Sequence, residues 1–501
     1  MKFIIVLLWA MLVASPVFAQ EAKSNSLFDL INIETFPVAR VNVTGDSAQN
    51  ADFQQFHDSK RFLRLGFEFT TDFGLEVNLN LDITQGITAN KKNPLFLNIP
   101  FAPGIGLTGF IDTHTPFESY VAYEGDLIDL SVGRRRWAMG AGDYSLSVGS
   151  HAPWFDGMWF NLHPTLSGHR FDWTFLVAAD TPIFISTWNE GNSAHSSYYW
   201  DTDADKPLLN SWAGRYFLMH NTSIWGNTWK FSIGETALVV GNLDLYTGNP
   251  TSIWHSVFLG HVNIEIQLAF EKRIAEQWRV YSELLLDDLP LEGGLTNPLS
   301  GAFTLGADYQ LFPGTERYTG PVQNPLYNIK REDNLRFSGG LVLSAQFVLT
   351  SRYVYSRADD EAIERFTMTK NVGAGDFFLY EHYIGFEYGP DTFLTALSAK
   401  WENKSFFVTG NLAFMLRGEF GVNDQKQAEA RSWTGFTKQD GGASDWFFSD
   451  TLAGVQFVAT VEGWYALRKN LSAYARLQTQ LTNITNYDNR FLFETGVLFK
   501  L

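Results

Sequence analysis

Residues 64–83, RLGFEFTTDFGLEVNLNLDI, alternate in character with a period of two. Leu65, Phe67 and Phe69 are apolar, as are Leu75, Val77, Leu79, Leu81 and Ile83 beyond the TTDFG connection. Arg64, Gly66, Glu68, Glu76, Asn78, Asn80 and Asp82 hold the positions between. This spacing sends the two sets to opposite faces of a β-strand, and two such runs around a short connection make a hairpin. The apolar face has two outlets, the core of a soluble sandwich or the lipid around a membrane barrel.

The pattern recurs along the chain. Val121 and Tyr123 lead to EGD at 124–126, after which Ile128, Leu130 and Val132 alternate with Asp129, Ser131 and Gly133. Leu397, Ala399 and Trp401 lead to ENK, and Phe406, Val408, Leu412, Phe414 and Leu416 then oppose Thr409, Asn411 and Ala413. Val262 to Phe270, Val455 to Val461 and Leu471 to Leu481 repeat the alternation. The chain ends in FLFETGVLFKL, with Phe491, Phe493, Val497, Phe499 and Leu501 on one face. Long polar connections, 181–215, 297–334 and 418–450, read as loops at one rim, with the tight turns at the other.

Three features favour lipid over a soluble core. Runs of about nine to eleven residues suit a tilted membrane span. Aromatics gather near run ends, at Tyr120, Tyr123, Trp137, Trp229, Trp278, Trp401, Trp464 and Tyr465, where an interfacial girdle belongs. The polar face carries Glu, Asp, Arg, Asn and Gln, as a water-filled lumen demands. The fold class read from this is all-β, a transmembrane antiparallel β-barrel of roughly 16 to 18 strands with short periplasmic turns and long extracellular loops.

Residues 1–19 read as a signal peptide: Lys2, an apolar stretch from Phe3 to Val13, and Val17-Phe18-Ala19 as a cleavage site. Residues 20–60 alternate poorly and read as an N-terminal extension or plug, leaving 61–501 for the barrel. The sequence contains no cysteine, which excludes disulfides and thiolate sites. A formal charge of -17 argues against nucleic acid and anionic membrane surfaces as partners. Together these features place the chain in the outer membrane of a diderm bacterium, among outer-membrane lipid. Its terminal strand suits the barrel-assembly machinery, although Leu501, not an aromatic, comes last.

Candidate chemistry concentrates in 130–164, LSVGRRRWAMGAGDYSLSVGSHAPWFDGMWFNLHP. Strand phase puts Asp129, Ser131 and Arg135 toward the lumen, with Arg134 and Arg136 opposite. Lumenal arginine can hold an anionic group through charge-assisted bonds, or it can pair with wall carboxylates. A second cluster, Trp188, Tyr198, Tyr199, Trp200 and Trp212, sits in a presumed external loop among Asn and Asp. Aromatic rings there can stack on sugar faces while the polar neighbours bond hydroxyls, or they can pack the loop against the rim.

The series Gly133-Arg134, Trp137, Gly140, Gly142, Leu146-Ser147 and APWFDG at 152–157 resembles the outer-membrane capsule-assembly proteins of the Wzi type. SIGETALV around Glu235 and SELLLDDL around Asp287 and Asp288 are similar to later elements of that family. The resemblance implies a monomeric barrel that binds surface polysaccharide without catalytic turnover and takes part in capsule assembly or retention. It also implies a helical plug, for which the sequence offers no obvious segment. The candidate glycan-binding or lumenal set is Arg134, Arg135, Arg136, Trp137, Asp143, Trp154, Asp156 and the five loop aromatics.

Other chemistry is thinner. Asp201, Asp203 and Asp205 have the spacing that opens a calcium loop, yet Lys206 stands where glycine belongs and Trp212 where an acid belongs, so no metal or other cofactor is expected. Ser150 with His151, or His195 with Ser196 and Ser197, lacks a third group to orient a base. Asp287 and Asp288 are neighbours on one strand and so face opposite sides. The expectation is a non-enzymatic polysaccharide-binding barrel, with a porin-type channel for small solutes as the alternative.

Overall fold

The computed structural model describes residues 30–44, 61–84, 95–98, 118–152, 154–179, 200–201, 206–207, 214–241, 248–249, 251–254, 262–288, 300–314, 316–321, 335–337, 339–355, 367–372, 378–422, 451–485, 487 and 489–501. Their strands close an antiparallel barrel of 18 strands. The alternating runs of the first hairpin pair face to face, with Leu65 opposite Leu81 and Arg64 opposite Asp82. Leu79 and Leu397 point out of the wall at 46% and 55% exposure, while Arg64 and Asp82 are buried inside. Closure satisfies the strand amides, as hydrocarbon requires. Among the described residues no helix is long and apolar enough to cross a membrane.

The wall begins earlier than the sequence indicates. Ile31–Thr35 pairs with both Arg61–Thr70 and the last strand, Arg490–Lys500, and Val38–Thr44 continues along that last strand. Residues 31–44 are therefore wall, neither extension nor plug. The alternation fails there because the strand breaks at Phe36-Pro37: Phe36 turns inward and is fully buried, and proline has no N–H for the ladder. Residues 1–19, the expected signal peptide, lie outside the described residues.

Two other expectations change. Residues 297–334 are not one external loop, because Ser300–Pro313 is a wall strand that descends to the tight-turn rim. The connection after it starts from that rim and enters the barrel mouth. Of the girdle aromatics, Trp278, Trp401 and Tyr465 do face outward, whereas Tyr120 and Trp464, 4% and 1% exposed, face inward. Trp464 and Tyr465 are sequence neighbours on one strand, so only one of them can meet lipid.

The lumenal face is itself layered. Near the tight turns inward residues are mostly polar, as with Asp172, Thr174, Asn221 and Ser223. Toward the loop rim the same strands turn apolar inside, with Leu176, Ala178, Phe217 and Met219 buried.

Candidate functional site

The apolar upper lumen is occupied by chain. After the strand Ile128–Arg135 the backbone turns back into the barrel, and 136–152 packs against the opposite wall before Phe155–Leu162 begins. Met139 and Val148 bridge to make it a compact finger. Gly140 has φ +136°, and a Cβ there would collide with Ser145 Oγ and Glu283 Oε1, so the finger passes this carboxylate only as glycine.

Wall side chains hold the finger by its backbone. Glu283 Oε1 accepts from Ala141 N–H at 2.5 Å and its Oε2 from Leu146 N–H at 3.0 Å. The Gln346 amide accepts from Tyr144 N–H at 3.1 Å and donates to Tyr144 C=O at 2.7 Å. Arg279 donates to Glu271 at 2.7 Å, to Asp308 at 2.5 Å and to the Ala141 carbonyl. Buried polar groups thus satisfy a buried irregular backbone, the condition for keeping such a segment out of water.

Two further segments complete the plug. Tyr355, with φ +67°, receives its place from Asp287, whose Oδ2 accepts from Tyr355 N–H at 2.7 Å. Its hydroxyl donates to Leu146 C=O at 2.7 Å and accepts from Phe386 N–H at 3.1 Å. Burial raises the Tyr355 phenol well above its ordinary pKa, so it remains a donor. Gly149 N–H bonds Ile384 C=O at 2.8 Å. Tyr144, Leu146, Val148, Val354, Ile384 and Phe386 then form one buried core with inward residues from Phe155 round to Val458.

The residues singled out in the sequence separate. Arg134 faces outward and clamps Asp156 through two bonds, 2.6 and 2.5 Å, as a cross-strand pair. Arg135 points inward, as its phase demands, with its guanidinium 4.4 Å from the Tyr120 ring and 5.1 Å from Trp137. Trp137 stacks on Trp159 at 4.9 Å. Arg136 bonds the carbonyls of His151 and Ala152 and lies over Trp154, which ties down the finger's return. Asp143 is far from these, at the fingertip, where its Oδ2 accepts from Ser398 Oγ at 3.4 Å.

Trp188, Tyr198, Tyr199, Trp212, Asp203, Asp205, His195, Ser196 and Ser197 lie outside the described residues. Trp200 and Asp201 are described in backbone alone, paired with Lys206–Pro207. Ser150 Oγ donates to Asp143 C=O and His151 Nε2 meets Tyr383 C=O, so those two are not arranged as nucleophile and base. Among the described residues no group of three or more His, Cys, Asp or Glu is placed to hold a metal ion.

The anchors Glu283, Gln346, Arg279 and Tyr355 were not legible as a site. One signal existed: Glu283 and Asp287 share a lumenal phase around Leu285, so that strand carries acids and an aliphatic on a face expected to be polar.

No protein-family model and no curated protein sequence matches the chain. Among solved structures it is similar to Wzi of Escherichia coli, described as an outer-membrane protein involved in group 1 capsule assembly and a carbohydrate-binding β-barrel. The two share 10% identity and a TM-score of 0.50 over 96% of this chain and 87% of that one. The chain has the fold of outer-membrane β-barrels. It is also similar to Pseudomonas aeruginosa OccK11 (OpdR), at 9% identity and TM-score 0.42 over 95% of this chain and 96% of that one. OprD of the same organism gives 9% and 0.39 over 96% and 97%. In barrels of this class the tight turns face the periplasm, so the finger enters from outside. One fold hosts many functions, and the functional reading therefore rests on what fills the lumen.

Proposed function

We propose that the chain is a non-catalytic barrel of the outer membrane that binds surface polysaccharide for capsule assembly or retention. The observation that carries this reading is the plug: three chain segments, anchored by Glu283, Gln346 and Asp287, fill the upper lumen with a continuous apolar core. Such a core gives a small hydrophilic solute no wet path there, whereas a polymer held at the surface needs none. The carbohydrate binding described for the structurally similar Escherichia coli protein supports the same reading. The reading assigns stacking on sugar faces to Trp188, Tyr198, Tyr199, Trp200 and Trp212. Lipid surrounds the apolar wall, and the terminal strand engages assembly machinery during biogenesis.

The test is retention of polysaccharide from the parent cell surface by immobilised, detergent-folded protein. The account expects saturable retention that falls when Trp188 and Trp200 are both changed to Ala. Retention no greater than on an unrelated barrel would refute it.

A further inference from the structure

We propose that the lumen below the plug contains a chamber, open to water from the tight-turn rim, that takes one or two sugar residues; this deepens the glycan-binding reading and rests on it. The argument starts from burial on four consecutive strands, Thr392–Glu402, Phe406–Gly418, Leu452–Arg468 and Leu471–Thr482. Their inward side chains fall into three layers. Leu394, Ala396, Ala413, Met415 and Val458 form a buried upper layer against the plug. Glu402, Phe407, Trp464, Ser472 and Tyr474 form a buried lower layer. Between them Ser398, Lys400, Thr409, Asn411, Thr460, Glu462, Arg476 and Gln478 also point inward, yet each is only half-buried. Inward side chains that keep solvent contact between two buried layers must border a void.

The roof is built, and the floor is covered on this side of the mouth. At the roof the Asn411 amide donates to Tyr144 Oη at 2.9 Å and Ser398 bonds Asp143, which brings the fingertip onto this wall. At the floor the connection after Ser300–Pro313 crosses the mouth. Tyr318 N–H donates to Glu402 at 3.1 Å, Thr319 N–H to Lys404 C=O at 3.3 Å, and Tyr318 Oη meets Ser472 Oγ at 2.7 Å. Tyr318 packs there with Phe36, Phe407, Trp464 and Tyr474.

The lining selects the ligand. The hydroxyls of Ser398, Thr409 and Thr460 each offer donor and acceptor, Lys400 beside Glu402 and Arg476 beside Glu494 add cations, and Glu462 with the fingertip Asp143 adds carboxylates. A bare cation wants oxygen ligands alone and an anion wants a cationic majority. A neutral sugar ring, whose every hydroxyl both donates and accepts, fits this mixture.

The chain has no cysteine, so Thr460→Cys places a single thiol in the chamber. The experiment follows its modification by 2-aminoethyl methanethiosulfonate in the full detergent-folded barrel, with mono- and disaccharides hydrolysed from the parent polysaccharide as probes. Asn80→Cys, inward on the Leu75–Thr84 strand away from the chamber, is the control, and Gln478→Cys replaces Thr460→Cys if the latter does not fold. The proposal expects modification that slows at least tenfold at saturating sugar, with the control unchanged. A folded variant that does not react, or that reacts at one rate at every sugar concentration, overturns it. Polymer retained by the wild type with no protection of the thiol removes the chamber and leaves the glycan reading. Protection without polymer retention does the reverse.

Discussion

Gln346 meets the peptide of Tyr144 at both ends, its carbonyl accepting from Tyr144 N–H and its amide donating to Tyr144 C=O. A wall side chain thus serves the fingertip as a neighbouring strand would. Glu283 does the same for Ala141 and Leu146 with two carboxylate oxygens. These contacts decide whether the lumen is filled, and they frame the predictions.

Glu283→Ala leaves two buried amides without an acceptor. Each orphaned amide costs about 1–3 kcal/mol, so the finger loses roughly 2–6 kcal/mol of its seating. Limited proteolysis is expected to cut within 136–152 while the wall keeps its heat-modifiable mobility on gels.

Gly140→Ala puts a Cβ against Ser145 and Glu283 at a residue with φ +136°. Strain and clash act together, and the same proteolytic sensitivity is expected without any loss of polar groups. A resistant variant would show that the finger is held by other contacts.

Tyr355→Phe removes one donor to Leu146 C=O and one acceptor for Phe386 N–H. The expected cost is about 1–3 kcal/mol, read as a lower plug unfolding midpoint in urea.

Asp143 sits at the fingertip outside the wall strands. Its carboxyl is pushed above its ordinary pKa by the surrounding protein and by Asp308, against the pull of Arg336. A raised folded value makes protonation favour the fold, so this stability is complete below the ordinary Asp value of about 4 and is lost as pH rises through the folded value. Lumenal water reaches the carboxylate, so the effect is modest. Protease resistance of the finger is expected to decline from acid toward neutral pH in the wild type, and Asp143→Asn to flatten that slope.

Arg134→Ala tests the opposite inference. Its partner Asp156 is 41% exposed although Arg134 itself is 13% exposed, so the bidentate pair is worth about 1 kcal/mol. Thermal midpoint and glycan retention are both expected to stay near wild type, which separates Arg134 from Arg135 despite their adjacency.

The wall was legible because lipid imposes one rule on most of its strands: leucines 65, 79, 397 and 481 face outward. Arg135 and Arg134 were legible for the same reason, since phase alone separates them. The plug was not, because its fixing contacts join residues far apart in sequence, as Gln346 joins Tyr144. Its trace lay in the runs FLVAA at 175–179 and YFLM at 216–219, where both faces are apolar. Such runs signal burial on two sides, which a water-filled lumen cannot provide.

Single-channel recording of the detergent-folded barrel in planar bilayers tests the central claim, that the lumen is filled. The account predicts no stable open steps for the wild type and their appearance in Glu283→Ala and Gly140→Ala. Stable steps of porin size in the wild type, indifferent to polysaccharide, would contradict it and make the chain a diffusion channel.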